Sequence, residues 1–360
     1  MTAPGLAIAA RGMCCALGWD APATVAAMRA RLNHFRASEF MARDGQPIVA
    51  ASVYALNTWG VERLGAMLRS SVQECLADAR SSGATVETSR IALLLMLPEP
   101  GRPALQEEAL AELFQELVAE LDLSPESQLG WVGRGGLALA LQASDDLLRP
   151  PDHGQGGVVK AVLLAAVDSL LDAPLIESLL NRQRLACDGR TDALVPGEGS
   201  AALLLTCSPL SDRQGKGIHT GLRIDAWAHA TDPWRMDGHL PLQAKGLTQA
   251  LRGAAAAAGR DLVDFEFHVS GANGEEWYAR EVQMALSRAM QRKRPSFPHQ
   301  TLAHFLGETG AAAPVMALAW LSLALPQNHR GFGRCGLVHF AGDDGQRSAA
   351  AVSLDPPIAR

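Results

Sequence analysis

The chain has 360 residues, of which 48% are hydrophobic and 19% are charged. This globular composition allows one large or two ordinary domains and excludes a disordered chain. The net charge is −6 without a long basic run, and the six cysteines include no Cys-x-x-Cys pair, so we expect no nucleic-acid partner, no structural zinc or other metal, no cofactor and no disulfide framework.

Apolar residues alternate along the chain between helical spacing and short continuous runs, which predict helices and buried strands respectively. The predicted strands are 5–10, 91–96, 158–166, 201–206, 222–228, 265–269, 337–341 and 349–354. The predicted helices are 21–32, 61–80, 105–121, 136–148, 243–258, 276–291 and 312–325. This alternation indicates an α/β architecture with a largely buried sheet.

The polar segment 208–217 contains Pro209 and is the best candidate for a join between two similar halves, 1–215 and 216–360. We expect the halves to form one compact unit. The most apolar helical stretch, 312–325, is too short to span a bilayer, and no basic segment followed by an apolar one stands at the start of the chain. These features predict a cytoplasmic protein with no membrane partner, and the abundance of Ala, Leu and Gly beside scarce Lys suggests a bacterial source.

The segment from Arg190 to Leu205 reads RTDALVPGEGSAALLL. It resembles the RDGFVxGEGAGALVL signature of β-ketoacyl synthases, which are condensing enzymes with the thiolase fold. Weaker resemblances follow the family's order at 12–18, 165–168, 270–274 with Glu281, and 307–313. The resemblance implies a five-layered αβαβα fold built from two duplicated halves, and a dimer that joins the two subunits' sheets edge to edge.

The resemblance also implies that the catalytic positions are vacated. Gly133 stands where the family has its nucleophilic cysteine, Ser270 and Glu308 replace its two histidines, and the supporting lysine falls at Ala303. Without a thiol no acyl-enzyme can form there, and Glu308 would place negative charge where an enolate must develop. The segment 341–345 adds two acids where an apolar gate is usual. We therefore predict that the condensing reaction is lost.

Four polar residues are candidates for a residual pocket: Arg134, Glu198, His268 and His304. A shifted alignment would bring His268 or His304 to a histidine position, but no shift restores a cysteine near position 133. Arg134 opposes the helix dipole unless it has a carboxylate partner, which Glu308 could supply. We expect Glu198 in the Gly-Glu-Gly turn to be structural.

Three further features bear on binding. Trp234, Trp277 and Tyr278 are either core aromatics or a recognition patch. The loop residues Asp152 and His153 are interpreted as solvated. The basic residues at the end of the 276–291 helix are either solvated or a docking site for an acidic carrier protein: Arg280, Arg288, Arg292, Lys293 and Arg294.

The leading hypothesis is a catalytically inactive homologue that acts by binding. It would be a homodimer, or the partner of a paralogous active synthase, as chain-length factors are, although Gly133 departs from their usual glutamine. One alternative is a non-condensing hydrolase or acyltransferase that uses Glu308, Ser270 or His304. Others are an accessory protein that binds an effector or serves a secretion system, and a residual synthase with unusual residues.

Overall fold

The computed structural model describes residues 5–354 except for 55, 84–85, 150–158, 208–209, 212–216, 219, 234–235, 237, 239 and 328–331. Asp152, His153 and Trp234 lie outside the described residues, so their interpretations stay predictions. The same holds for the boundary near 215. No helix in the described part of the chain is long and apolar enough to cross a membrane.

The regular elements follow the predicted alternation of strands and helices. Strands of the first half are β1 (Leu6–Cys15), β2 (Arg36–Met41), β3 (Pro47–Ala50), β4 (Ile91–Leu97), β5 (Gln128–Trp131), β6 (Ala161–Ser169) and β7 (Glu198–Thr206). Its helices are α1 (Ala21–Arg29), α2 (Gly60–Ser81), α3 (Glu107–Glu120), α4 (Leu137–Leu148) and α5 (Ala173–Asn181). Strands of the second half are β8 (Leu210–Ser211), β9 (Gly217–Ile218), β10 (Leu222–Thr231), β11 (Phe267–Ser270), β12 (His299–Thr301), β13 (Cys335–Ala341) and β14 (Gln346–Leu354). Its helices are α6 (Lys245–Ala257), α7 (Glu276–Ala289), α8 (Ala303–Leu306) and α9 (Ala313–Ala324).

Ten strands form one sheet in the order β12-β11-β13-β14-β10-β1-β7-β6-β4-β5, and its two halves repeat the same topology. In the first half β5, β4 and β6 run parallel, while β7 and β1 join antiparallel. In the second half β12, β11 and β13 run parallel, while β14 and β10 join antiparallel. The halves meet where β1 pairs with β10, with Leu6 opposite Ile224.

The five strands of each half form one β layer, and the helices complete a five-layered α-β-α-β-α arrangement. Helices α2 and α3 cover the outer face of the first half, and α6 and α7 cover that of the second. Helices α4 and α9 lie between the halves and contact strands of both. Because α9 is apolar on all sides, it can be buried on all sides in this central layer. The α/β class and the duplicated halves implied by the family resemblance are therefore present.

The structure corrects the sequence prediction at the start of the chain. The first strand was predicted to end at residue 10, but β1 continues to Cys15 and pairs with β7 along that length. Glycine is required at position 12 because α2 crosses the strand there: a Cβ atom would lie 1.9 Å from the carbonyl oxygen of Ser71. The prediction also missed the β2–β3 hairpin, β5, β12 and α5. The buried side of the hairpin and α5 form a separate apolar cluster beside the candidate site.

Candidate functional site

Gly133 lies at the sharp turn between β5 and α4, where the resemblance places the nucleophile. Its φ of +55° is in the left-handed region that favours glycine. A Cβ atom at this position would lie 2.7 Å from Oε2 of Glu99. The position therefore carries no nucleophile, and the Glu99 carboxylate lies where a side chain would begin.

Arg134 forms a buried ion pair with Glu308, the partner that the sequence suggested. Glu308 also accepts hydrogen bonds from the Asn273 amide and the Gly310 N–H, both at 2.8 Å. Burial raises the pKa of the Glu308 carboxyl, while Arg134 acts in the opposite direction. The guanidinium carbon of Arg134 lies 4.2 Å from the centre of the Tyr278 ring, a cation–π contact.

A second arginine extends this network toward the turn between β13 and β14. Arg184 contacts both oxygens of Glu275 at 2.6 and 2.8 Å and also pairs with Asp343. The Tyr278 hydroxyl donates to Asp343, and the Asn273 amide bridges to Glu275 at 3.0 Å. Although burial alone would raise the pKa of Asp343, Arg184 and Arg134 hold it well below its usual value. The network therefore pairs each of its two arginines with two carboxylates.

Arg102 and Asp168 form a third ion pair, in which the Asp168 side chain is fully buried and that of Arg102 is 12% exposed. Arg102 donates from both terminal nitrogens to the Asp168 carboxylate, with one distance of 2.7 Å. The N–H of Ala311 donates to the same carboxylate at 2.8 Å. Glu99 lies nearby, and burial raises the pKa of its carboxyl even though Arg102 acts to lower it.

These charged groups border a cavity of about 210 Å³ at the junction of the two halves. Arg134 and Glu308 line it, as do Glu99 and Arg102. Its lining contains no cysteine and no histidine within the described residues. The cavity can therefore hold a small molecule among charges, but it presents no nucleophile of the condensing type.

The other candidate pocket residues lie elsewhere, which corrects the expected grouping. Glu198 is fully buried in the first half, where it pairs with Arg63 and accepts hydrogen bonds from the Val53 N–H at 2.7 Å and the Ser169 hydroxyl at 2.9 Å. His304 is exposed on α8, which begins at half-buried Ala303. Neither Glu198 nor His304 reaches the cavity.

His268 and Ser270 also face away from the cavity. Successive strand residues point to opposite faces, and on β11 Phe267 and Val269 take the side of the central helices. His268 stacks against His299 with 4.2 Å between ring centres, and its Nδ1 lies 3.0 Å from Nε2 of His339. The Ser270 hydroxyl lies 2.6 Å from Nε2 of His299. Ser270 and Glu308 therefore do not form the serine–acid pair that a hydrolase alternative would need.

The remaining aromatic and basic predictions have mixed outcomes. Tyr278 is 2% exposed, so it is a core residue of the ionic network rather than part of a surface patch. Arg294 donates to the carbonyl oxygens of Val263 and Phe265, at 2.6 and 2.5 Å, and so holds the loop that follows α7 against the segment before β11. Arg280 pairs with Glu276 at 3.6 Å on the helix surface.

Several functional groups could not be found from the sequence. Glu99 and Arg102, in the loop between β4 and α3, carry no motif, and neither do Arg184 and Glu275, which lie in two other loops. Asp343 was noted only as an acid in an unusual place.

All six cysteines have pKa values raised by burial, so none is an activated thiolate. Burial raises the pKa of Cys14 to about 12. Cys14, Cys15 and Cys75 are buried in the apolar core. Within the described residues, no cysteine lines the cavity next to Gly133.

No family model matches the sequence, and no curated protein matches it. Solved structures do match over nearly the whole chain. A complex of a type II polyketide synthase acyl-carrier protein with its ketosynthase, bound to the hexaketide, matches with a TM-score of 0.78 at 12% identity, covering 98% of this chain and 100% of that one. A ketosynthase in complex with its chain-length factor from Xenorhabdus doucetiae matches with a TM-score of 0.71 at 13% identity, covering 98% of both chains.

The ishigamide ketosynthase/chain-length factor matches with a TM-score of 0.69 at 17% identity, covering 98% of this chain and 100% of that one. At such identities these likenesses establish the fold, which is the thiolase-like fold of ketosynthases.

Proposed function

We propose that this chain is a β-ketoacyl-synthase homologue that has lost condensing activity and acts by binding. The observation that carries the proposal is the content of the vacated site. Glycine stands at the nucleophile position, Glu99 occupies the adjoining space, and Arg134 with Glu308 fills the position of a histidine.

Condensation needs a thiolate and a positive or hydrogen-bond-donating environment for the developing enolate. The Glu308 carboxylate is already paired with Arg134, so the pair supplies little net positive charge. Asn273 also directs its amide toward Glu308 rather than into the cavity. The site is therefore built for structural ion pairing and not for stabilising an anionic transition state.

One contact favours a second function, hydrolysis or acyl transfer at Ser270. The Ser270 hydroxyl and the His299 imidazole form a serine–histidine pair at 2.6 Å. Against it, Ser270 is 2% exposed, lies on the outer face of β11 and also accepts a hydrogen bond from the Ala272 N–H at 3.2 Å. These contacts fit a turn-stabilising role. Thioester hydrolysis that disappears in Ser270→Ala would establish the enzymatic alternative.

The edge strand β5 supports pairing with another thiolase-like chain. β5 bonds to β4 on one side, and no strand of the described residues covers its other side. Unpaired edges invite addition of another strand. Leu139, in the first turn of the helix that follows β5, is 39% exposed. Two of the structural neighbours are ketosynthase and chain-length-factor assemblies, so a second copy or a paralogous ketosynthase is the proposed partner.

Native mass spectrometry tests this pairing, first with the chain alone and then with a paralogous ketosynthase added. Leu139→Lys should abolish pairing through β5, while Leu240→Lys, at an exposed leucine outside the strands, should leave it intact. A dimer of the chain alone would select the homodimer. Monomers under both conditions would contradict the proposed partner.

A further inference from the structure

Glu99 lines the cavity without a direct partner for its carboxylate. Within the described residues, no other residue donates a hydrogen bond to it. The nearby Arg102 is engaged at both terminal nitrogens by Asp168. Burial raises the pKa of the Glu99 carboxyl, and Asp168 and Asp343 add to this effect. A half-buried carboxylate without a hydrogen-bond donor from another residue would be stabilised by a cation that arrives from the cavity.

The charges around the cavity favour a cation over an anion. Four arginines face six carboxylates in and directly behind the lining. The arginines are Arg102, Arg134, Arg182 and Arg184, and the carboxylates are Glu99, Asp168, Glu275, Glu308, Asp343 and Asp344. Because Arg102, Arg134 and Arg184 are each engaged in an ion pair, the excess of carboxylates gives the cavity a negative charge balance.

The size of the cavity and its leucine side chains indicate which group of the ligand would accompany the cation. Four leucines form an apolar wall facing the charged groups: Leu170, Leu175, Leu179 and Leu194. The volume of about 210 Å³ is below the range of about 300–1,000 Å³ that is usual for drug-sized ligands. A short hydrocarbon chain that carries one charged group would match both surfaces.

We propose that this cavity binds a small aliphatic primary amine, whose ammonium group pairs with Glu99 and whose hydrocarbon chain lies against the leucine wall. The inference rests on the proposed non-condensing function, because it assigns a ligand rather than a reaction to the vacated site. The ammonium group would lie beside Gly133, since the Glu99 carboxylate adjoins that residue.

Binding of n-butylamine, n-butyrate and n-butanol to the full chain, measured by calorimetry and ligand-observed NMR near neutral pH, tests the inference. The amine should bind saturably and more tightly than the acid or the alcohol. Glu99→Gln should weaken amine binding at least about tenfold, equivalent to about 1.4 kcal/mol. Glu126→Gln, at an exposed glutamate, is the matched control and should bind as the unaltered chain does.

A second readout uses the unaltered protein and does not depend on how a variant folds. Amine affinity should fall as the pH is lowered, because protonation of Glu99 removes the partner of the ammonium group. Equal binding of butyrate and butylamine, no amine binding, or unchanged affinity in Glu99→Gln would overturn the amine site. Those results would leave the non-condensing function intact, which thioester turnover tests separately.

Discussion

Arg134 and Glu308 form a buried ion pair that joins the turn between β5 and α4 in the first half to a loop of the second half. Each side chain is 7% exposed. Arg134 has a weaker second contact with Asp343, at 3.4 Å. Removing one partner of such a pair leaves an uncompensated charge in the interior, whereas replacing both partners by apolar side chains leaves no buried charge.

Glu308→Ala should therefore lower the free energy of unfolding by about 3 kcal/mol, measured by urea denaturation. The double variant Arg134→Met/Glu308→Leu should recover most of that loss, since neither charge then stays buried. The single variants Arg134→Met and Glu308→Leu complete the comparison. If the double variant loses as much stability as the two single variants added together, the two side chains are not coupled and the ion pair is contradicted.

Substitutions at Gly133 and Glu99 should have coupled effects on the free energy of unfolding, because a side chain at position 133 would occupy the space of the Glu99 carboxylate. Gly133→Ala introduces a Cβ atom 2.7 Å from the Glu99 carboxylate at a φ of +55°, and we expect it to cost about 1–3 kcal/mol. In the Glu99→Ala background the same change should cost less, because only the backbone strain remains. Equal costs in both backgrounds, read from urea denaturation, would show that the two side-chain positions do not compete.

Gly133→Cys should not restore acylation. The introduced thiol would lie beside the Glu99 carboxylate, whose charge disfavours the reactive thiolate. Intact-protein mass spectrometry after incubation with an acyl thioester should show no acyl adduct at position 133. Adduct formation there would mean that the surrounding site still activates a nucleophile.

The stacked histidines on the outer face of the sheet predict acid sensitivity. Burial lowers the pKa of His339 to about 3 and also lowers that of His268. These two imidazoles stay neutral in the folded chain but take up protons near pH 6.5 when it unfolds. Their contribution to stability is therefore present above about pH 6.5 and is lost as the pH falls, by about 1.4 kcal/mol per pH unit for each proton.

Urea denaturation between about pH 7.5 and about pH 5.5 would measure this slope. The variant His268→Leu/His339→Leu should flatten it, since two of the titrating groups are gone. His304→Gln, at an exposed histidine, is the matched control and should keep the slope of the unaltered chain. Identical slopes in all three proteins would contradict the assignment.

Thiol labelling should find no activated cysteine in the native protein. Cys14, Cys15 and Cys75 are buried, and burial also raises the pKa values of the half-buried Cys187, Cys207 and Cys335. Iodoacetamide should therefore modify the native chain slowly and at no more than the half-buried positions. Rapid modification of a single cysteine would reveal a nucleophile that this account lacks.

The sequence predicted the fold where local pattern determines structure. The helix predicted at 61–80 is α2 (Gly60–Ser81), because its apolar residues recur at helical spacing over many turns. β5 is only four residues long and half-exposed, and the β2–β3 hairpin has little alternation, so neither carried a usable pattern. β1 was cut short because Gly12 signals a turn locally, whereas the requirement for glycine comes from the distant α2.

The candidate site was predictable only at positions that lie in family-like motifs. Gly133 and Glu308 were identified by resemblance, and Arg134 by its need for a carboxylate. Glu99 and Arg184 were not, because their roles depend on loops far apart in sequence that meet only when the two halves are packed together.

Turnover of acyl and malonyl thioesters, presented on a carrier protein and as coenzyme A esters, tests the loss of condensing activity most directly. Mass spectrometry of products and of the intact chain should show no carbon–carbon bond formation, no malonyl decarboxylation and no acylated protein. A condensation product that the unaltered chain forms catalytically, and that Glu308→Gln or Ser270→Ala no longer forms, would contradict the account.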